Sequence, residues 1–143
     1  MTTKDISKLT HIFSNKHSKI LFQYPLNDDY TMKLVFTLYH AGLSKAIPRT
    51  LTDPHITDDE RSIWIRQKNV YIIQPDRSAI NVITVHNAIN DPDRVYKESQ
   101  YNVHYGNAKT FDYWGLPEHS FDLIIAEKPV KLNMLKTGGI LIK

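Results

Sequence analysis

The chain contains no cysteine, which excludes a disulfide scaffold and a thiolate metal site. No apolar run approaches the roughly 18 residues needed to span a bilayer. Met1 to Lys19 also lacks the apolar centre of a secretory signal, so a soluble, non-secreted protein without a membrane partner is the expectation. No His-Glu-x-x-His pair, Gly-x-Ser-x-Gly turn, phosphate-binding loop or kinase-like set occurs. What remains is an ordinary globular composition. With 143 residues, 41% of them hydrophobic, the chain can bury a core as one domain or as two small lobes. The formal charge is +3, the pI is near 9.0 and there are seven histidines, a balance compatible with nucleic acid and common elsewhere.

Periodicity organises the first half. Lys4 to Lys19 reads as an amphipathic helix, with Ile6, Leu9, Ile12 and Phe13 on one side. Lys4, Lys8, His11 and Asn15 recur at intervals of four, three and four on the other. Ile20 to Leu26 is an apolar, aromatic run that fits a strand. A second helix is expected from Asp29 to His40, with Met32, Val35, Phe36, Tyr39 and Leu43 as its stripe and Gly42 as its stop. Ala46 to Leu51, interrupted by Pro48, reads as an edge strand, and Thr52 to Glu60 as an acidic loop. Ser62 to Arg66, Val70 to Ile73 and Asn81 to Val85 all read as strands, with a bulge or a turn at Lys68-Asn69 and a turn at Pro75 to Ser78. Arg94 to Tyr96 is a short extended piece, and Lys97 to Leu116 is expected to hold turns and one short helix. The order predicts an α+β protein, not alternating βα units. It is two-lobed, with an N-terminal α/β lobe at 1–75 (helix, strand, helix, strands) and a C-terminal β-rich lobe at 76–143.

Spacing decides between the possible chemistries. His11 and His17 share no helix face, so scattered histidines are expected, with no metal and no cofactor. A Rossmann-like, methyltransferase-related reading is the sharper enzymatic alternative. In it Val70-Tyr-Ile-Ile-Gln-Pro-Asp76 stands as a ribose-binding strand end, Gly106-Asn-Ala108 as an adenine-side loop and Phe121-Asp-Leu-Ile-Ile125 as the catalytic strand. Against it stand the missing Gly-rich turn after the first strand, the 12 residues between Ala126 and Gly139, and an ending with no further strands. A toxin-type ribonuclease is the second alternative. It requires groups such as His86, Arg66 and Arg94 to converge for proton transfer. RNA binding without catalysis needs only distributed cations and polar groups, which the basic face of the first helix offers.

Several segments carry a resemblance in their order. Leu9-Thr-His-Ile-Phe-Ser-Asn15 precedes a strand closing on Tyr24-Pro25, and a helix ends in Leu38-Tyr-His-Ala-Gly-Leu43. Arg61-Ser-Ile-Trp-Ile-Arg66, Asn90-Asp-Pro-Asp-Arg-Val-Tyr96 and the terminal Lys136-Thr-Gly-Gly-Ile-Leu-Ile-Lys143 follow. In this sequence of signals the chain resembles the ribosomal small-subunit protein S-eight family, in its divergent mitochondrial branch. The resemblance implies a non-enzymatic protein of the mitochondrial small ribosomal subunit. It would bind the central domain of small-subunit rRNA, contact neighbouring ribosomal proteins, and serve assembly and translation.

On that reading the RNA-facing residues are Lys4, Lys8, His11 and Asn15 in the first lobe, and Arg94, Lys128, Lys131 and Asn133 in the second. Where the family has Ser and Thr followed by a loop glycine, this chain has Ala126, Glu127 and Pro129. Lys128 and Lys131 then stand in as phosphate contacts. The terminal strand is expected to close the second lobe.

Overall fold

The computed structural model describes residues 3–24, 29–46, 65–75, 80–89 and 98–143. The expected strand at 46–51 apart from Ala46, the acidic loop at 52–60, the turn at 75–78 apart from Pro75, and Arg94 to Tyr96 lie outside the described residues. In chain order the elements are α1 (Thr3–Ser14), β1 (Ile20–Gln23), α2 (Asp29–Ala46), β2 (Val70–Gln74), α3 (Ile80–Ile89), β3 (Asn102–Tyr105), β4 (Phe121–Ile125) and β5 (Leu135–Ile142). Single 3-10 turns occur at Glu98–Gln100, Tyr113–Gly115 and Leu132–Met134.

α1 forms because Leu9, Ile12 and Phe13, at i, i+3 and i+4, bury one face. Each such side chain contributes about 1.5–3 kcal/mol by leaving water. Asn15 ends the helix: its Oδ1 accepts the His17 N–H at 3.0 Å, and its carbonyl accepts the Ser18 N–H at 3.0 Å. Ile6, expected in the stripe, is 41% exposed at the margin. α2 buries Val35, Leu38 and Tyr39 and runs through Gly42 to Ala46, past the expected stop. Phe36 lies off the buried arc, exposed, with its ring 4.3 Å from that of His40.

The five strands form one sheet in the order β3-β2-β1-β4-β5, and every pair is parallel. β1 is central: Leu21 pairs with Tyr71 of β2 on one side and with Ile124 of β4 on the other. β1 and β2 are buried along their whole length, as central parallel strands are. Side chains alternate between two hydrophobic clusters. Ile20, Phe22, Val70, Ile72, Leu123 and Ile125 face α1, α2 and α3. Leu21, Tyr71, Ile73 and Ile124 face Ala108, Tyr113, Ala126 and Met134, which belong to connections without α-helices. Right-handed crossovers account for this split. From β1 to β3 the chain steps one way along the sheet and places α2 and α3 on one face. After β3 it steps the other way, from β4 to β5, and its connections fall on the opposite face.

The helices and the sheet make the mixed α+β composition that the sequence predicts, but β1, α2, β2, α3 and β3 alternate in a parallel sheet, against the expectation of no alternating βα units. The expected boundary at residue 75 does not divide the sheet, because β1 and β2 from the first half hydrogen bond with β4 and β3 from the second. β4 is the reason: all but one of its five residues are buried, which a central position satisfies. Three local expectations are corrected. Residues 81–85 are helical, within α3. Their β-branched composition suggested a strand, but joining parallel β2 to β3 needs a crossover, and helical spacing buries Val85 and Ile89 together. Residues 65–68 are also helical; Asn69 closes that turn through its N–H to Arg66 O and its Nδ2 to Ile65 O. Residues 102–105 form a strand within a stretch expected to be turns.

The short link between β4 and β5 does not prevent parallel pairing. β4 has five residues and is roughly 16 Å long. The linking residues 126–134 can span about 30 Å when extended, so they return the chain with only a 3-10 turn. The register then shifts: Phe121 pairs with Leu135, but Leu123 pairs with Ile140. Lys136 to Gly139 form the bulge.

Candidate ligand-binding edge

In an open parallel sheet the connections leave opposite faces where the strand order reverses, and the gap at the carboxyl ends there is the natural ligand crevice. Here that point lies between β1 and β4. Gln23 at the end of β1 is 2% exposed and sends its Nε2 to the Lys128 carbonyl at 2.8 Å, which ties the two strand ends together. The next residue, Tyr24, has φ of 49° and donates its N–H to Ile73 O at 2.8 Å. Its hydroxyl accepts the Ala108 N–H at 3.1 Å and lies 3.4 Å from Gly106 O. Gly106, with φ of 148°, turns the chain out of β3; its N–H donates to Gln74 O at 2.7 Å.

Two polar groups at this edge are left over. Gln74, the last residue of β2, is fully buried, and neither its Oε1 nor its Nε2 has a hydrogen-bond partner. The Tyr113 hydroxyl is likewise buried without a partner. Each such group costs about 1–3 kcal/mol. Burial, reinforced by the Tyr24 phenol, pushes the Tyr113 hydroxyl up to about 12. Tyr113, Trp114 and Gly115 hold φ of 53°, 58° and 71° in succession, steadied by Asp112 Oδ1, which accepts the Trp114 N–H at 3.1 Å. This left-handed run presents a set of aromatic rings: Phe111 stacks on His104 at 3.6 Å, and Trp114 meets Tyr71 edge-on at 4.9 Å.

The sequence-predicted site residues do not form one surface. Lys4, Lys8 and His11 are exposed on α1, and Asn15 is exposed just beyond it. Lys8 and Asp5 border a groove of about 450 Å³ against Gly139 to Lys143 of the edge strand. Lys128 is exposed at the carboxyl end of β4. Lys131 turns inward on the opposite face from α1: its Nζ donates to Phe111 O at 2.8 Å and lies 4.8 Å from the Tyr113 ring centre. Asn133 is exposed and donates to Glu118 Oε1 at 3.1 Å. Arg94 lies outside the described residues. The groups offered for a nuclease have separate partners, Arg66 with the Tyr39 ring and His86 with the Tyr101 hydroxyl. Among the described residues, no three of His, Asp and Glu converge as for a metal ion.

Of the edge residues, those at 70–75 and 106–108 fall in segments that the methyltransferase-related reading offers, while Asp76 of the same reading lies outside the described residues. Tyr24 and Gln23 were missed. Their only signal was position, immediately after the first central strand. Comparisons with family models, curated proteins and solved structures gave no match. No helix among the described residues is long and apolar enough to cross a membrane.

Proposed function

We propose that the chain is a Rossmann-like, methyltransferase-related domain that binds an adenosyl ligand at the carboxyl edge of its sheet. One observation carries this reading: the all-parallel order β3-β2-β1-β4-β5, which reverses between β1 and β4. The edge chemistry supports it. The orphaned Gln74 amide offers a donor and an acceptor at the end of β2, suited to ribose hydroxyls. The Ala108 N–H in the turn after β3 is held by the Tyr24 hydroxyl, and a purine ring nitrogen would take it only by displacing that bond. The sequence from Tyr24 to Asp29 contains no glycine, the residue that a dinucleotide's diphosphate ordinarily needs after the first strand. A single nucleoside without phosphates fits these groups better than a dinucleotide. S-adenosylmethionine has that character and supplies a transferable methyl group. The proposal is of binding, and a non-enzymatic role stays part of it.

The test is calorimetric titration of the purified chain with S-adenosylhomocysteine. Saturable micromolar binding that weakens on Gln74→Ala is expected, with no comparable affinity for a dinucleotide. Absence of heat with millimolar ligand would overturn the reading.

Ribosomal RNA binding in a mitochondrial small subunit remains a second proposal, supported by the exposed Lys4, Lys8 and His11 on one face of α1. It carries less weight because residues 121–142 join the same sheet as β1 and form no separate β-rich lobe in the described structure. Co-sedimentation with small ribosomal subunits, together with no affinity for the adenosyl compound, would reverse the order of the two.

A further inference from the structure

Arg66 occupies the helical turn just before β2 and is 4% exposed. Its guanidinium carbon sits 4.6 Å from the centre of the Tyr39 ring. That contact favours the cation, and Tyr39 also takes a side-chain hydrogen bond from Arg66, but neither reaches the Nε edge of the guanidinium. Nε and Nη1 have no hydrogen-bond partner. A buried cation with open donors is costly, and the usual resolution is an anion or a carboxylate held in the guanidinium fork.

The space beside it is suited to the first of these. Arg66 lines a pocket of about 10 Å³ with Ile12 and Phe13 of α1, Asn15, Lys16 and Ser18 from the turn after it, Ile20 from the start of β1 and Tyr39 of α2. The volume admits one oxygen-sized group. Among the described residues no carboxylate lines the pocket, while Lys16 brings a second cation and is itself exposed, as is Asn15. The residues around it are already committed to the fold: Asn15 Oδ1 accepts the His17 N–H, and the Lys16 carbonyl accepts from Asn69 Nδ2 at 3.1 Å. The open donors of Arg66 are left for something else. Burial raises the Tyr39 phenol, and Arg66 lowers it in part, so the ring beneath the guanidinium stays neutral and contributes no competing charge.

We propose that this pocket binds a phosphate group, one oxygen entering to meet Nε and Nη1 of Arg66 while the remainder stays at the surface beside Lys16. The site lies at the amino end of β1, the far end of the strand from the carboxyl edge, and does not depend on the adenosyl reading. Free inorganic phosphate and the phosphodiester backbone of RNA present the same oxygens.

The experiment compares thermal unfolding of the full chain in phosphate and in chloride at equal ionic strength, for wild type, Arg66→Met and Lys16→Glu. Phosphate is expected to raise the wild-type midpoint by about 3 °C or more. The rise should vanish in Arg66→Met and shrink in Lys16→Glu, whose exposed position leaves the fold intact. A second arm follows a labelled single-stranded RNA oligonucleotide by anisotropy. RNA binding that phosphate competes away, and that both substitutions weaken, identifies the backbone as the source. RNA binding indifferent to both substitutions, with the phosphate effect still lost in them, identifies free phosphate. A wild-type chain that does not respond to phosphate, as expected if the pocket holds only water, overturns the proposal. So does an Arg66→Met chain that responds as strongly as wild type.

Discussion

The Tyr24 hydroxyl accepts the Ala108 N–H at 3.1 Å, joining the residue after β1 to the turn after β3 across the end of β2. The partners are 84 residues apart in sequence. Tyr24 also holds φ of 49° and anchors its own N–H on Ile73 O, so backbone and side chain both act on the carboxyl edge. A ligand that reads the Ala108 amide meets this tyrosine first.

Tyr24→Phe keeps the ring in its cluster and removes the acceptor of the Ala108 N–H together with the longer donation to Gly106 O at 3.4 Å. Loss of one such bond, with the amide left partly buried, is expected to cost about 1 kcal/mol. Urea unfolding measures that loss. Amide exchange locates it: Ala108 should exchange faster in the variant while the amides of β1 and β2 stay protected. Unchanged exchange at Ala108 would show that the bond contributes no protection.

Tyr113 predicts a dependence on alkaline pH. Its hydroxyl is raised to about 12 in the folded chain by burial, with the Tyr24 phenol adding to the shift. An unfolded tyrosine releases its proton near pH 10. Between about pH 10 and pH 12 the unfolded chain therefore holds fewer protons than the folded one, and stability falls as pH rises through that window. Below it the contribution is complete. Tyr39 and Tyr71 are raised in the same direction by burial and add to the trend. Tyr113→Phe should flatten part of the alkaline loss and cost little at neutral pH, because the hydroxyl it removes has no partner. Denaturant midpoints across the alkaline range test this; a slope equal to wild type would contradict it.

α1, β1, α2 and β2 were legible in the sequence because each carries a period or an apolar run that its burial satisfies. Leu9, Ile12 and Phe13 keep helical spacing, and Val70 to Ile73 is continuously apolar. α3 was misread because its β-branched residues favour a strand locally, and only the parallel pairing of β2 with β3 demands a crossover. β3 was missed because Asn102 to Tyr105 is half-buried at the sheet edge and shows no clean apolar pattern. The candidate edge was half legible. Gln74 and Ala108 fall in segments that the sequence singled out, whereas Tyr24 acts through a bond to a residue 84 positions away, which no local pattern encodes. Lys131 looked like a free cation in sequence, but the Phe111 carbonyl and the Tyr113 ring hold it.

The paired glycines before the terminal strand residues give the last prediction, since Gly138 and Gly139 are constrained for different reasons. Gly138 has φ of 78°, and a Cβ there meets only Lys8 Nζ, at 3.8 Å. Gly138→Ala is therefore expected to cost the left-handed penalty alone, about 1–2 kcal/mol. A Cβ on Gly139 falls 2.8 Å from Leu135 Cδ1, 2.9 Å from Lys136 O and 3.0 Å from Asp122 O. Leu135 can rotate away, but the two carbonyl oxygens are fixed, one in β4 and one in the bulge that shifts the β4 to β5 register. Gly139→Ala must push the bulge outward, and overpacking of this kind costs roughly 1–3 kcal/mol with local rearrangement. Urea unfolding should rank Gly139→Ala below Gly138→Ala in stability. Amide exchange should show lost protection at Ala126, whose N–H bonds Ile142 O at 2.9 Å, in the Gly139 variant only. The reverse ranking would mean that the close approach at Gly139 relaxes without disturbing the strand pairing.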